Sequence, residues 1–565
     1  PSRGLGDVYK RQAVGVIGEP GQAGAADRLR AGFDDLTTSL RDMPSRHQNL
    51  HVVFEMSWHT LPPELQQRLA QLAVFRGGFS LAAALPVAQA DAPQLAALRE
   101  KSLLAYDAAS DRYALHPIIR AYAAEKLSPG DQTAQKHADY YLALLAEYDE
   151  PLRKDAPQRA VAALEPDIDN VRLAWPTALA RHEPAAVGLS AALTSLSIYY
   201  QLRGLAHEAE GVMHTTANTA ATWGSGGLRL ATRAGLERAR FQNRLGRHRP
   251  AIQTIQTALA RAAQAGDRWA EGMGHVLWGE ALWRLGEYGA AESRLNQALA
   301  IGHALESAEI VAWGHHHLGI IHDIQSRYAA AHEQLQLACA AWQSIDSAQN
   351  LSVSLNSLGL VCYHQGDLAA AQQAMEQALA LGNQVDNRHL QSALLNNLSI
   401  ISMEQGDYMG AQYYLHLGLD LATTSGNLSG QGEIHTNLGK TYRMLGELAL
   451  STDSLEQGLR IAESLENRSL MAIARLSLAN TKKALGDSEQ AATLYGQALT
   501  IAQQDNLQST ACEALIGLAE LLSDHSRSQA RQYSAQAVAL AEAIQTPQLL
   551  ERAKEIDHRL HVATQ

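Results

Sequence analysis

The chain has 565 residues, of which 46% are hydrophobic and 18% charged, and a formal net charge of -12. Such a length exceeds one compact core, so several domains or a repeat array are expected, and the acidic balance argues against direct nucleic-acid binding by this stretch. No apolar run approaches the ~20 residues that span a bilayer, and Cys339, Cys362 and Cys512 lie far apart in helical patterns, as reduced core thiols of a cytoplasmic protein would.

Residues 1–12, PSRGLGDVYKRQ, lack an initiator Met and read as translated adapter sequence, so the chain is taken as a fragment whose true N-terminus is missing. Residues 13–48 read as the remnant of an upstream module. From 49 to 127 the pattern changes. Helical periodicity covers 50–61 and 64–75, Gly77 and Gly78 break the chain, and short helices follow at 81–88 and 93–101. Two strands, 102–106 and 112–115, flank a polar turn at 107–111, and a helix follows at 116–127. Three or four helices with one hairpin make a winged-helix domain. Residues 1–127 carry 14 basic and 13 acidic groups, and the helix expected to read DNA, 93–101, is mostly apolar, so a structural or regulatory role is expected.

Residues 128–200 read as a helical connector. Its acidic cluster Glu165, Asp167 and Asp169 stands at a helix entrance, where carboxylates are stabilising.

From 201 to 563 the chain repeats. Gly246, Gly286, Gly366, Gly406, Gly446 and Gly486 fall on a 40-residue grid, with Ser326 in the remaining slot. Glycine there ends one helix through left-handed backbone. A polar or acidic residue then opens the second helix, as at Asp367, Asp407 and Asp487. Small residues follow five and twelve positions after the slot, such as Ala291 and Ala298, two turns apart on one face. Eight positions before the slot stand Trp278, Leu318, Leu358, Leu398, Leu438 and Leu478, several followed by glycine. The pattern resembles the tetratricopeptide repeat in a 40-residue form; HEAT-type repeats share the period but not these offsets. The expected fold is mostly α: a winged-helix domain followed by a right-handed α-solenoid of tetratricopeptide-type repeats, closed by a polar cap near 526–537.

The stretches RHQNL, SWHTLPPELQQRLAQLAVFRGGFSLAAA, LREKSLL and RYALHPIIRAYAAEKL resemble the winged-helix segment that follows the nucleotide-binding module in signal-transduction ATPases of the NB-ARC type, also called STAND proteins. KHADYYLALLAEYDEPL and LEPDIDNVRLAW resemble the connector of bacterial members, many of which end in tetratricopeptide arrays. The resemblance implies that 13–48 belongs to the nucleotide-binding module, that the parent binds ADP or ATP, and that it regulates transcription. It also implies a role for one residue. The family's Met-His-Asp motif, whose His senses the β-phosphate of ADP, matches Leu115-His116-Pro117 here: the His is kept and Pro replaces the Asp. The other reading of His116 is a helix-start residue beside the hairpin.

No catalytic site is expected within the chain, and no cofactor. Gly439-Lys440-Thr441 ends like a P-loop, but Ile434 holds the position of its first glycine, and the trio falls on a repeat helix. His315, His316, His317 and His322 lack the four-residue spacing of shared metal ligation, so a solvated or groove-facing cluster is expected.

In such repeats the first helix lines the concave surface. Positions one and two before the Leu slot, and two and five after it, then select His316, His317, Asn356, Asn396, Asn397, Asn437, Lys440, Arg443, Asn480 and Lys483. Amides at one per repeat can bond the backbone of an extended peptide, and the basic residues can take its carboxylates. The expected function is that of a non-catalytic sensor arm, with a protein or peptide in the groove and the nucleotide-binding domain in cis as partners. The alternatives are a stand-alone repeat scaffold or adaptor, and the regulatory arm of a cyclase or kinase.

Overall fold

The computed structural model describes residue 55 and residues 57–562 apart from 154–156, 386, 524 and 545, so the readings of 1–12 and 13–48, and half of the helix at 50–61, lie outside the described residues. The chain divides into two compact units, one ending at His137 and the other starting at Ala138.

In the first unit α1 (Pro63–Leu72) opens on a proline, whose fixed φ suits the first helical turn. Ser80 caps α2 (Leu81–Ala88) by accepting from the Ala83 N–H, and Asp91 with Gln94 forms a capping box on α3 (Ala92–Glu100). β1 (Ala105–Asp107) and β2 (Arg112–Ala114) pair antiparallel with Tyr106 opposite Tyr113, and Asp111 turns the chain at φ 53°. α4 (Pro117–Glu125) follows. Phe79 exchanges two backbone hydrogen bonds of 2.8 Å with Tyr113, a third edge to the hairpin that the sequence reading missed because Gly77-Gly78 looked like a plain break. Gly78, at φ 106°, brings the chain there: a Cβ would stand 3.0 Å from the Tyr113 carbonyl oxygen. Leu69, Leu72, Phe75, Phe79, Leu95 and Leu98 fill the core, with Phe75 and Phe79 stacked at 4.3 Å.

The second unit holds helices joined by turns, with no strand among its described residues, and its boundary falls within its first helix. α5 (Thr133–Glu147), α6 (Asp149–Arg153), α7 (Pro157–Leu164) and α8 (Ile168–Leu179) precede a first pair, α9 (Ala186–Leu202) and α10 (Ala206–Ala220). The acidic cluster ties these helices together: Tyr199 donates to Glu165, Tyr141 to Asp167, and Arg172 pairs with Asp169. Then come the repeat pairs α11 (Ser225–Arg244) with α12 (His248–Ala265), α13 (Arg268–Arg284) with α14 (Tyr288–Ala304), α15 (Ala308–Ile324) with α16 (Tyr328–Gln343), and α17 (Ala348–His364) with α18 (Leu368–Gln384). α19 (Arg388–Glu404) with α20 (Tyr408–Thr424), α21 (Leu428–Met444) with α22 (Leu448–Ser464), α23 (Arg468–Ala484) with α24 (Ser488–Gln504), and α25 (Gln508–Leu522) with α26 (Arg527–Ala543) continue it, and α27 (Pro547–Val562) ends it. Each odd-numbered helix packs on the helices before and after it and on the next odd-numbered one, so these helices form one continuous layer of a tetratricopeptide-type solenoid.

The expected glycine slot is left-handed at all seven grid positions from Gly246 to Gly486, including Ser326 at φ 59°. A second left-handed turn lies midway, at Gly266, Glu306, Asp346, Gly426, Glu466 and Asn506, with φ between 51° and 68°. The unit is therefore two similar helices of about half the period, a symmetry hidden because four residue types share that turn. Caps follow the same rhythm. Asp367, Asp407 and Asp487 accept from the N–H three residues on at the starts of α18, α20 and α24; Asp267, Asn387, Asn427 and Asn467 do so at α13, α19, α21 and α23.

The small residues set the helix spacing. Ala251, Ala291, Ala331, Ala371, Ala411 and Ala491 are fully buried. A Cβ on Gly279, Gly319 or Gly359 would stand 2.6, 2.6 or 2.7 Å from Leu295, Leu335 or Met375, so glycine lets the large side chain of the second helix seat against the first. Ser451 replaces the alanine in one repeat, and its hydroxyl is satisfied by the Gly439 carbonyl at 2.7 Å and the Thr481 hydroxyl at 2.9 Å.

Candidate functional site: a channel along the first helices of the repeats

The odd-numbered helices enclose a channel of about 610 Å³ bordered by residues from α11, α13, α15, α17 and α19 and by the end of α9. Helices far apart in sequence border one space because the layer curves round it. Its walls carry Trp283, Trp313, His316 and His317, with Arg240, Arg244, Arg284 and Glu280 among them.

The aromatic side is tightly built. His317 stacks on Trp313 at 5.6 Å and 18° between planes, and Trp313 meets Trp342 edge-on at 5.2 Å. The Arg284 guanidinium lies 4.6 Å over the Trp283 ring. His316 Nδ1 is 3.0 Å from the Ser354 hydroxyl. His317 Nδ1 and Trp283 Nε1 are buried and have no hydrogen-bond partner among the described residues. Burial, then the neighbouring His317, pulls the His316 pKa down to about 3. Burial, then Arg284 and Arg240, does the same to His317. Both rings are therefore neutral at physiological pH.

The charged side is uneven. Arg240 pairs with Glu237 at 3.3 Å, and Arg284 with Glu280 at 3.2 Å. Arg244, one turn beyond Arg240 on α11, is open to the solvent of the channel and makes no ion pair or hydrogen bond among the described residues. The surrounding protein, and Arg240 beside it, lower its pKa. His389, at the start of α19, is lowered by burial and then by Arg244.

The structure distributes the sequence-selected groove residues over two kinds of environment. His316 and His317 line the channel, at 4% and 7% exposure, rather than standing solvated. Further along, the amides bond each other: Asn397 Nδ2 donates to Asn356 Oδ1 at 2.8 Å, and Asn437 Nδ2 to Asn396 Oδ1 at 2.9 Å. Asn480 accepts from the Tyr495 hydroxyl at 2.6 Å, and Lys483 pairs with Glu520. Lys440 and Arg443 make no hydrogen bond or ion pair among the described residues; burial lowers the Lys440 pKa, against Glu513. His116 lies in the first unit, exposed, its Nδ1 accepting from the Ile118 N–H at 3.4 Å as the cap of α4.

The sequence reading missed Arg240, Arg244, Glu280, Trp283 and His389. Arg240 stands two positions after slot 238, and Glu280 and Trp283 two and five after slot 278, so the same register rule selects them. Slot 238 holds Arg instead of Leu, which hides the register at that end. Arg244 and His389 lie outside the rule.

Among the described residues no group of three His, Cys, Asp or Glu side chains converges as metal ligands would. Burial raises the Cys339 and Cys512 thiols to about 11, away from the thiolate a nucleophile needs. No helix among the described residues is long and apolar enough to cross a membrane.

Tetratricopeptide repeat family models match residues 351–385 and 430–504. Over 162 residues the chain is 38% identical to proteins of Mycobacterium tuberculosis and Mycobacterium bovis provisionally named HTH-type transcriptional regulators, a match taking in 26% of this chain and 18% of theirs. The matched stretch thus spans under a fifth of the length of those relatives. Among solved structures, a signal transduction ATPase with numerous domains and a tetratricopeptide repeat sensor, from Pyrococcus horikoshii, superposes with a TM-score of 0.56 over 84% of this chain and 68% of its own. At 14% identity that likeness is one of fold.

Proposed function

We propose that this chain is the non-catalytic sensing arm of a signal-transduction ATPase that regulates transcription, with a protein or peptide bound in the inner channel of the solenoid and the N-terminal unit relaying that event to a nucleotide-binding domain in the same polypeptide. The observation that carries the reading is the channel itself: a curved layer of helices that, among the described residues, keeps buried ring nitrogens unpartnered beside a guanidinium that makes no ion pair. Native interiors satisfy their polar groups, so groups left open in a cleft point to a ligand that completes them.

The relay rests on weaker supports. The helices, hairpin and Phe79 edge of the first unit fit the winged-helix fold that its wording resembles. The fold likeness to the Pyrococcus protein and the identity to the mycobacterial regulators point the same way. His116, exposed as the cap of α4, is the residue that would sense the β-phosphate of ADP in this reading.

The test is selection of phage-displayed random peptides on the immobilised chain. Selected peptides should lose at least tenfold in affinity to Val353→Arg, which fills the channel, and nothing to Met409→Arg on the exposed side of α20. Peptides that bind both variants alike, or a selection that yields none, would reject the groove.

A further inference from the structure

We propose that the channel between α11 and α19 is a binding site for a ligand that carries one carboxylate beside an aromatic ring, with the carboxylate between Arg244 and His389 and the ring against Trp283 and Trp313. The inference rests on the groove reading and names the chemistry of its occupant.

Charge decides the anion. Arg240 pairs with Glu237 and also feels Glu309, and Arg284 pairs with Glu280, whereas Arg244 makes no ion pair among the described residues. Arg244 is the cation left over. Arg244 and His389 both line the channel, from helices far apart in the chain. The first turn of α19, with its cap Asn387 also on the channel wall, adds the positive end of a 17-residue helix to the same spot. An arginine beside a histidine and a helix start favours a planar, bidentate anion.

Shape decides the ring. The volume of about 610 Å³ lies within the roughly 300–1,000 Å³ of small-ligand pockets. It holds a bulky acid or the last residues of a peptide, not a folded domain. Trp283 and Trp313 give flat walls, and Trp283 Nε1 and His317 Nδ1 remain to be hydrogen-bonded. The carboxylate can come from a free aromatic acid or from a peptide's C-terminus.

Calorimetry on the intact chain with three probes tests this: 3-phenylpropionate, the peptide Gly-Gly-Gly-Phe with a free C-terminus, and the same peptide amidated. At least one free-acid probe should bind at a single site, the amide at least tenfold more weakly, and Arg244→Gln should weaken the free acid at least tenfold without lowering the melting temperature. The tighter of the two acids identifies the source. The proposal is overturned if neither acid binds, if the amide binds equally, or if Arg244→Gln binds as the parent chain does. Should library-selected peptides still occupy the channel while Arg244→Gln leaves them unaffected, only the carboxylate assignment falls; loss of all binding removes the groove as well.

Discussion

Two stretches of the same inner layer solve the same geometric problem in opposite ways. Between α17 and α21 the inward positions are amides, and they bond each other from repeat to repeat, Asn397 to Asn356 and Asn437 to Asn396. Between α11 and α15 equivalent positions hold Arg240, Trp283, His316 and His317, and several polar groups there have no protein partner. One repeat scaffold thus carries a stretch closed on itself and a stretch left open. A satisfied polar ladder fixes neighbouring helices in register; an unsatisfied one costs stability that a bound molecule can restore. Lys440 and Arg443 on α21 mark where the closed stretch opens again.

Acid should break the comparison most strongly. His316 and His317 are held neutral, with pKa values of about 3, His316 by burial and then His317, against Glu280, and His317 by burial and then Arg284 and Arg240. The unfolded chain takes up these protons at about pH 6.5. Between pH 6.5 and 3 the unfolded state therefore binds more protons, and stability present above pH 6.5 is lost as pH falls, at about 1.4 kcal/mol per pH unit for each histidine. From pH 7.5 to 5 the two together should remove roughly 4 kcal/mol. Urea denaturation across that range should show the slope, and a chain with His316→Gln and His317→Gln should lose most of it. An unchanged slope would mean the rings are solvated.

The closed stretch should answer to a single amide. Asn437→Leu removes the donor to Asn396 Oδ1 and leaves a buried carbonyl unpaired, which should cost about 2 kcal/mol. Replacing both, Asn396→Leu with Asn437→Leu, should cost less than the single change, because no orphan remains. Thermal melts of the three proteins decide it; a double variant weaker than either single one would show that the amides matter for more than each other.

The contrast between the two stretches was only half legible in the sequence. The solenoid was readable because its packing needs small residues at fixed offsets, and Gly279, Gly319 and Gly359 cannot be larger without striking Leu295, Leu335 and Met375. The second left-handed turn was not, since Glu306, Asp346 and Asn506 adopt it as readily in context as glycine does and leave no residue signature. The inward register picked out Asn356, Asn396, Asn397 and Asn437 but not that Asn397 would bond Asn356 and Asn437 would bond Asn396, because spacing reports which face a residue occupies and not what stands opposite. Arg244 and His389, 145 positions apart, meet only through the curvature of the whole array, which no local pattern encodes.

The smallest expected change is the most discriminating. Trp283→Phe keeps a flat apolar wall and the seat for Arg284 but deletes a buried N–H that has no partner. Losing that donor should recover part of the ~1–3 kcal/mol that an unsatisfied group costs. The smaller ring gives up some buried area and cation–π contact, worth ~1 kcal/mol. The two nearly cancel, so stability should change by no more than about 1 kcal/mol in either direction, well short of Asn437→Leu. Affinity for a channel ligand should nevertheless fall, because in the bound state the same N–H has an acceptor to meet. A side chain whose loss leaves folding untouched and weakens binding belongs to the open stretch. If Trp283→Phe instead destabilises the chain as much as Asn437→Leu does, then the indole has a structural partner in solution and the two stretches are built alike.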